Sequence, residues 1–438
     1  ELELSEEPDV SEEMRIITLS LRNHKNKPAN AAAACSALQN FCVLLSLSSS
    51  GETPDLSDVL FSSLTEMINA LSLHHDDSET LEHVTGALWA LCAVREELAL
   101  SPEVVCSIGL ITETMNRFPQ SVDLQRHGIG LLGLYFSLST DKLDFVDDDL
   151  VYAIMNFIKE EINNDDSVKD GFDLIETAVN IIQIMADNGF EVVKTILQNE
   201  NLIETIVGCM FKFPESLSIQ GACSDILTNI AVDNYIRADV CHKGGTTRII
   251  SALENLKHDP IVVCKAFMAL SNLIAVADVE ILRAHDTPVV EIFLGAMKLH
   301  PQNLYIQVVA TYALWGLAAR HDSFKDEIVN NGGTEVVVAS MERFLGSKHM
   351  QVRGFIVIWS VATRRHLKKR IGRCAIEQLA NGISAHISNE TACEHAMGCL
   401  TCLSTTPVNK ELLNAHGVAD LIYFCKYNSC FLSKSCTL

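Results

Sequence analysis

The sequence lacks any run of about 18 uninterrupted apolar residues, because charged residues or glycines break its apolar stretches every few positions. It also lacks a basic start followed by an apolar stretch, the pattern typical of a secretory signal. We therefore expect neither a membrane span nor secretion. We predict a cytoplasmic protein, with the nucleus as the alternative location.

The motifs of common catalytic sites are missing as well. We find no G-x-x-x-x-G-K-[ST], no G-x-G-x-x-G after a strand, no H-E-x-x-H and no G-x-S-x-G. His395, Cys399 and Cys402 share one helix face at i, i+4 and i+7. A single face does not close a tetrahedral metal site without a fourth ligand, so we interpret these cysteines as core or groove thiols. We predict that the chain is not an enzyme and holds no metal or cofactor.

The composition narrows the choice of partner. The 438-residue chain has 33 basic and 56 acidic residues, a formal net charge of −23, and 15 cysteines. Most cysteines lie in apolar helical patterns such as ACSALQNFCVLL, which indicates reduced thiols rather than a disulfide framework. Because an acidic chain repels phosphate backbones, we expect a protein or peptide partner and no nucleic acid. The acidic stretches are equally consistent with solvated loops that only aid solubility.

What the sequence does contain is a repeat. The segments MNRFPQSVDLQ (115–125), MFKFPESLSIQ (210–220) and MKLHPQNLYIQ (297–307) share Met, Pro and Gln at the same three places. A small residue ahead of an apolar pattern recurs about every 44 positions, at Ala34, Ala87, Gly130, Ala178, Cys223, Ala266, Ala310, Gly354 and Ala396. Self-similarity at this period is typical of a solenoid. Two wider gaps contain insertions, near 48–56 and 159–171.

Within one period the apolar spacing is helical. In AFMALSNLIAV the apolar residues from Ala266 to Ile274 fall at i, i+3, i+4, i+7 and i+8, one face of a helix. Glycine turns at KGGTTRII, NGGTEVVV and AHGVADLI each open a further apolar helix. Each period therefore predicts a short helix, a glycine turn, a second helix, a turn that often contains proline, and a third helix. In this arrangement Met marks the end of the second helix, and Gln lies early in the third.

This three-helix unit resembles the armadillo repeat, on the segments AFMALSNLIAVADVEILRAHDTPVVEIFLGAM and ATYALWGLAARHDSFKDEIVNNGGTEVVVASM. The repeated Met-Pro-Gln pattern is similar to the sequence pattern in the armadillo regions of leucine-rich-repeat kinases and serine/threonine kinase-like proteins. The resemblance implies an all-α, armadillo-type α-solenoid, a right-handed superhelix of three-helix repeats. We place nine to ten repeats in residues 14–438, after an acidic N-terminal segment at 1–13.

The third helices of such a superhelix line a concave groove. In armadillo proteins of the importin-α type, that groove carries Trp and Asn at i and i+4 of each third helix. Here three of the nine Asn positions hold Asn, and only Trp89 fills a Trp position. The resemblance to a nuclear-import receptor therefore fails at the residues that such a receptor needs.

A local patch of groove positions remains in the middle repeats. Its members are polar residues, aromatic residues and one methionine, all predicted to face the groove or flank it: Asp225, Asn229, Met268, Asn272, Tyr312, Trp315, Arg320, Trp359 and Arg364. Aromatic side chains with amides suit an extended or helical partner. Trp315 and Trp359 are also consistent with filling the core between repeats, whereas a buried Asn requires hydrogen-bond partners.

The basic cluster RRHLKKRIGR, residues 364–373, stands out in an acidic chain. The cluster indicates either a binding site for an acidic tail or the solvent-exposed loop and short helix at the start of a repeat. Together these features predict a non-enzymatic scaffold that binds a partner in the armadillo groove. The alternative is a regulatory or oligomerising armadillo region of a larger kinase-like protein. The sequence does not identify the partner or the oligomeric state.

Overall fold

Helices account for every regular element that the structure describes. The structure is a computed structural model, and it describes residues 10–24, 26–47, 57–139, 146–164, 172–188, 201–284, 287–418 and 421. The chain divides into two compact units, residues 1–208 and 209–438. No helix within the described ranges is both long and apolar enough to cross a bilayer.

The first unit contains eight α-helices and one 3₁₀ turn among its described residues, before the helix that holds the unit boundary. They are α1 Val10–His24, α2 Pro28–Leu47, α3 Ser57–Leu73, α4 Ser78–Val94, the 3₁₀ turn Glu96–Leu100, α5 Pro102–Arg117, α6 Val122–Leu138, α7 Asp148–Asn163 and α8 Phe172–Asp187. The helix α9 Leu202–Lys212 contains the boundary between the units.

The second unit continues the same order of helices. They are α10 Leu217–Ile230, α11 Asn234–His242, α12 Gly245–Asn255, α13 Pro260–Leu273, α14 Val279–Arg283, α15 Val289–Leu299, α16 Leu304–Arg320, α17 Asp322–Asn330, α18 Gly333–Arg343, α19 Lys348–Ala362, α20 Lys368–Ala385, α21 Glu390–Leu403 and α22 Pro407–Ala415.

The third helices of the repeats stack on one another in each unit. In the first unit α2, α4, α6 and α8 pack in succession, and in the second α10, α13, α16, α19 and α21 do so. Each of the nine predicted small residues lies in one of these helices and is buried, as with Ala266 and Ala310 at 0% exposure. The predicted all-α armadillo solenoid is therefore confirmed. Burying each large apolar side chain of such an interface contributes roughly 1.5–3 kcal/mol.

The glycine turns between short and second helices also match the prediction. Gly244, Gly332 and Gly417 have φ values of 87°, 79° and 65°, the left-handed region that a residue with a Cβ adopts only at a cost. Gly244 directly precedes α12, and Gly332 directly precedes α18.

Hydrogen bonds that the sequence did not predict explain why Met, Pro and Gln recur together. In α15 the Met297 carbonyl would accept from the N–H of residue 301, but Pro301 has no N–H. Gln307 of α16 supplies the donor instead, because its Nε2 bonds the Met297 oxygen at 2.8 Å and the His300 oxygen at 3.0 Å. We call this arrangement the glutamine clamp. It fastens the end of a second helix to the start of its third helix.

The clamp recurs at the other copies of the motif. Gln125 bonds the oxygens of Met115 and Phe118 at 2.7 and 3.2 Å, and Gln220 bonds those of Met210 and Phe213 at 2.8 and 2.9 Å. A fourth clamp joins Gln351 to the oxygens of Met341 and Phe344 at 2.6 and 3.2 Å, although no proline is present there. All four glutamines are buried.

The repeats are not uniform in their first helix. It is a 3₁₀ turn at Glu96–Leu100 and five residues long at Val279–Arg283, and between α19 and α20 the chain only turns before a continuous 18-residue helix. Residues 10–13 of the predicted acidic segment belong to α1, and residues 159–163 of the second predicted insertion belong to α7. Residues 1–9 of the acidic segment, residues 165–171 of the second insertion and the whole insertion at 48–56 lie outside the described residues.

Candidate functional site

The predicted patch lies on the third helices of the second unit. Asp225 and Asn229 belong to α10, Met268 and Asn272 to α13, Tyr312, Trp315 and Arg320 to α16, and Trp359 to α19, while Arg364 follows α19. None of the nine is fully buried. We call the part-exposed side of these helices and of α21 the third-helix face.

At one end of this face, α10 and α13 are joined by polar contacts. Lys265 Nζ lies 2.7 Å from Asp225 Oδ2, so the predicted acid is paired with a cation of the next repeat. Asn272 Nδ2 donates to the Thr228 carbonyl at 3.2 Å, which engages its amide with the preceding helix. Asn229 is part-exposed on the same helix as Asp225. The Asn272 amide thus helps to hold two repeats together while it remains part-exposed on the face.

Aromatic side chains occupy the centre of the third-helix face. Tyr305 donates its hydroxyl to Met268 Sδ at 3.2 Å and is itself 52% exposed. The rings of Tyr312 and Trp315 lie 5.1 Å apart, and Arg353 of α19 lies over the Tyr312 ring at 4.6 Å. Such a cation–π contact holds the guanidinium beside the ring. Together these residues form a continuous surface across three adjacent repeats.

Arg353 has no carboxylate partner among the residues that the structure describes. Its Nη1 donates to the Val308 carbonyl at 3.2 Å, and burial lowers the pKa of the guanidinium below its ordinary value. A guanidinium ordinarily titrates above pH 12, so this arginine remains charged at neutral pH. A peptide that crosses the face would therefore meet a fixed positive charge beside two aromatic rings.

Trp359 extends the aromatic surface towards α21. A Cβ placed on Gly398 would lie 2.8 Å from the indole Cη2, so the indole packs on a helix surface that only glycine leaves free. The His395 ring centroid lies 6.4 Å from the indole, and Trp359 keeps 39% of its surface exposed. This indole therefore fills part of the contact between repeats and still presents a ring to solvent.

The two predicted arginines are held by partners within the chain. Arg320 donates from Nη1 to the Ala275 carbonyl at 3.0 Å and from Nη2 to the Ala277 carbonyl at 2.8 Å. It therefore satisfies backbone oxygens that follow the end of α13. Arg320 therefore stabilises the contact between two repeats, and these bonds use donors that a partner would otherwise contact.

Arg364 instead bonds two carboxylates of α17. Its Nη1 lies 3.0 Å from Asp322 Oδ2 and its Nη2 lies 2.9 Å from Asp326 Oδ2. The pKa of the Asp322 carboxyl lies below its ordinary value, first because of Lys325 and then because of Arg364. In the same basic cluster, Arg370 lies 3.2 Å from Glu335. Part of the cluster is therefore neutralised by the preceding repeat.

Three residues of the third-helix face escaped the sequence analysis: Lys265, Tyr305 and Arg353. Lys265 and Arg353 each come directly before a small residue of the repeat, at Ala266 and Gly354. That position lies three residues before the predicted groove position, on the same helical stripe. A comparison of that position across the repeats would have found Lys265 and Arg353, but not Tyr305, which lies five residues before Ala310.

The His395, Cys399 and Cys402 set behaves as the sequence predicted for its thiols. Cys399 is fully buried, and burial raises the pKa of its thiol well above the ordinary value. Cys402 Sγ lies 3.2 Å from the Ala362 carbonyl. The described residues contain no group of three or more side chains that could hold a metal ion.

The known proteins that this chain resembles have the same kind of fold. Residues 191–428, more than half of the chain, match the family described as the LRRK2 ARM repeat. No curated protein matches the sequence. A solved structure from work on the phosphorylation-controlled interaction between cadherin and β-catenin aligns with a TM-score of 0.71 at 12% identity, covering 94% of this chain and 71% of that one. At this identity the likeness concerns the fold alone.

A structure from work on the molecular features of the UNC-45 chaperone that are critical for binding and folding muscle myosin aligns with a TM-score of 0.45 at 12% identity, covering 97% of this chain and 61% of that one. UNC-45 from Drosophila melanogaster aligns with a TM-score of 0.39 at 12% identity, covering 94% and 72%.

Proposed function

The chain belongs to the LRRK2 ARM repeat family, and from this premise we propose that it is a non-enzymatic scaffold whose third-helix face binds an extended segment of a partner protein. The observation that supports the proposal is the part-exposed row formed by Tyr305, Tyr312, Trp315, Arg353 and Trp359 on adjacent third helices. The first three of these residues lie on α16 and the other two on α19, so the row crosses two adjacent repeats. A surface that runs across stacked repeats suits an extended chain better than a compact ligand.

Aromatic anchors account for the affinity in this proposal. Trp and Tyr are the residues most often found to dominate binding energy at interfaces, and Arg commonly accompanies them. The packing of Tyr312, Trp315 and Arg353 holds each side chain in place before a partner arrives. Little side-chain entropy is then lost on binding.

The proposed cellular compartment is the cytoplasm, with the nucleus as the alternative. Twelve cysteines among the described residues are free thiols, and most are buried or part-buried. Reduced thiols are typical of those two compartments.

We would test the groove with a peptide library displayed on phage and panned against the full chain. Enriched peptides would be synthesised, and their affinity measured by fluorescence polarisation. The variant carries Tyr312→Ala and Trp359→Ala, and the control carries Tyr235→Ala, since Tyr235 is 80% exposed and belongs to α11, which is not a third helix. Both variants must first retain the circular dichroism spectrum and melting point of the parent.

We expect the double variant to weaken peptide binding by about 30-fold or more, as the loss of about 2 kcal/mol at an anchor requires. The control should stay within twofold. Equal loss of affinity in both variants, or enriched peptides that bind the double variant unchanged, would remove the third-helix face as the binding site.

A second function remains open, because the matching family is named for the armadillo region of LRRK2. In this alternative the array is a regulatory or oligomerising arm of a larger kinase-like protein. Sequencing the full-length transcript tests it. A kinase fold in the same reading frame would favour the arm, and its absence would favour the free-standing scaffold.

A further inference from the structure

The basic cluster at 364–373 contains a row of cations that the proposed function does not use. Arg365, Lys369 and Arg373 follow one another at intervals of four residues, and all three are exposed. Lys369 and Arg373 lie one turn apart on the same side of α20, and Arg365 lies in the turn that leads directly into this helix. We call these three residues the basic stripe.

The rest of the cluster is held by acidic partners, but the basic stripe is not. Arg364 and His366 both contact Asp326 of α17, at 2.9 and 3.0 Å, and Arg370 lies 3.2 Å from Glu335 of α18. Among the described residues, none of the three side chains of the basic stripe forms an ion pair with a carboxylate. The chain has 56 acidic and 33 basic residues, so acids are plentiful, yet the fold brings none to the stripe.

The start of α20 is charged against its own dipole. The helix begins with Lys368, Lys369 and Arg370, its first turn holds no acid, and no side chain caps it. The first turn of a helix carries a partial positive charge, so cations there destabilise the helix and an anion stabilises it. Among the described helices, α20 is the only one whose first three residues are all basic. Such a departure from a local rule is typical of a functional site.

A short acidic peptide fits the basic stripe better than a long polyanion does. Glu377 lies one turn past Arg373, and Glu335 lies beside Arg370, so acidic residues limit the stripe on two sides. A nucleic acid or an anionic membrane extends beyond such a patch, and it would be repelled by a chain whose formal charge is −23. Lys369 and Arg373 are about 6 Å apart along the helix axis. Alternate residues of an extended peptide are about 7 Å apart, so every second side chain can meet one cation.

We propose that the basic stripe binds an extended acidic segment of a partner protein that carries carboxylates at alternate positions. The carboxylates pair with the three cations and offset the unfavourable charge at the start of α20. The stripe belongs to a second helix, since α20 stacks on α18, and it is not part of the third-helix face. The inference therefore does not rest on the proposed function. A protein with Tyr312→Ala and Trp359→Ala should bind the acidic peptide as the parent does.

The test measures fluorescence polarisation at about 20 mM salt, where exposed charges are weakly screened. The probe is a nine-residue peptide with four aspartates at alternate positions and glycines between them, acetylated and labelled with an uncharged dye. The same peptide with asparagine in place of aspartate is the neutral comparison. Oligouridylate RNA and phosphatidylserine vesicles are titrated separately, because they are the other polyanions that a basic surface attracts.

The variant is the full chain with Arg365→Gln, Lys369→Gln and Arg373→Gln. The control removes the same number of exposed cations from elsewhere in the second unit, with Lys257→Gln, Lys298→Gln and Lys348→Gln. Both changes make the net charge more negative by the same amount. A difference between the two proteins therefore reports the position of the cations rather than the overall field. Both must retain the circular dichroism spectrum of the parent.

We expect the parent to bind the aspartate peptide saturably, whereas the asparagine peptide, and the aspartate peptide with the stripe variant, should bind about tenfold more weakly or worse. The control should stay within about twofold of the parent, and raising the salt to about 200 mM should weaken the parent about fivefold or more. The stripe variant should also exchange its amide hydrogens at the start of α20 more slowly, because it removes cations from the positive end of the helix.

Four results would overturn the inference. The first is an aspartate peptide that does not bind the parent, or that binds no better than the asparagine peptide. The second is an equal loss in both triple variants, which would make the effect one of net charge. The third is tighter binding of RNA or vesicles that only the stripe variant loses, which would assign the stripe to that polyanion. The fourth is faster exchange at the start of α20 in the stripe variant, which would give the cations a purely structural role.

Discussion

Replacing Gln307 with leucine removes the side chain that fastens α15 to α16. Gln307 is buried, and its Nε2 donates to the carbonyls of Met297 and His300. Its Oε1 accepts from Ser340 Oγ of α18 at 2.6 Å. Leucine fills a similar volume but bonds none of these groups. The variant therefore isolates the hydrogen bonds of one glutamine clamp.

The expected cost follows from those three bonds. Each contributes about 1 kcal/mol net, and a buried polar group left without its partner costs about 1–3 kcal/mol, while leucine regains part of this by burying apolar surface. We expect Gln307→Leu to lower the local free energy of unfolding by about 2–4 kcal/mol. Gln351→Leu is the matched control. Gln351 makes two such bonds, and its Oε1 is buried without a partner among the described residues, so its loss should cost about 1 kcal/mol less.

Native-state hydrogen exchange with mass spectrometry measures these values, in peptides covering α15 and α16 for one variant and α18 and α19 for the other. This readout suits an array whose repeats need not unfold together. Ser340→Ala, alone and combined with Gln307→Leu, completes a double-mutant cycle that should show about 1 kcal/mol of coupling. A loss below about 0.5 kcal/mol for Gln307→Leu, or a larger loss for Gln351→Leu than for Gln307→Leu, would refute the reasoning.

Three further predictions concern other parts of the fold. Ala310→Asp forces an unpaired charge into the contact between third helices and should lower the melting point by several degrees, whereas Ala319→Asp at an exposed position of α16 should not; equal melting curves would contradict the helix register. Burial raises the Cys209 pKa from 9.0 to about 12, so stability falls as pH rises above 9, where unfolded thiols ionise and the folded thiol does not. Between pH 8 and pH 10, the free energy of unfolding of Cys209→Ala should therefore fall by about 1.4 kcal/mol less than that of the parent, as measured by urea unfolding. An equal fall in both proteins would contradict the raised thiol pKa. Gly398→Ala should displace the Trp359 indole and increase acrylamide quenching of tryptophan fluorescence, and unchanged quenching would show that the indole does not rest on α21.

The fold was predictable because it depends on spacing along one chain. Each small residue from Ala34 to Ala396 marks the third helix of a repeat within the described residues. Gly244 and Gly332 mark two of the turns. Both signals are local, since a helix face repeats every three to four residues and a positive φ favours glycine. The shortened first helices escaped the prediction because short polar helices carry little periodicity.

The candidate site was less predictable because long side chains reach other repeats. Arg320 bonds the Ala275 and Ala277 carbonyls, and Arg364 bonds Asp322 and Asp326, at separations of 38 to 45 residues. No local pattern in the sequence records such a partner. Tyr312, Trp315 and Trp359 were found, because their position in the repeat sets which way they face, whereas Tyr305 was missed.

The glutamine clamp has a consequence for how the chain tolerates changes in length. Each clamp spans ten residues from Met to Gln, as from Met341 to Gln351, so an inserted residue in that turn would pull the amide away from both carbonyls. The repeat built by α7 and α8 has Ile175 where the clamp glutamine would stand, and its turn is the one that carries the insertion near 159–171. Turns without a clamp are thus the places where evolution, or an engineer grafting a loop, can lengthen this array without releasing a helix end.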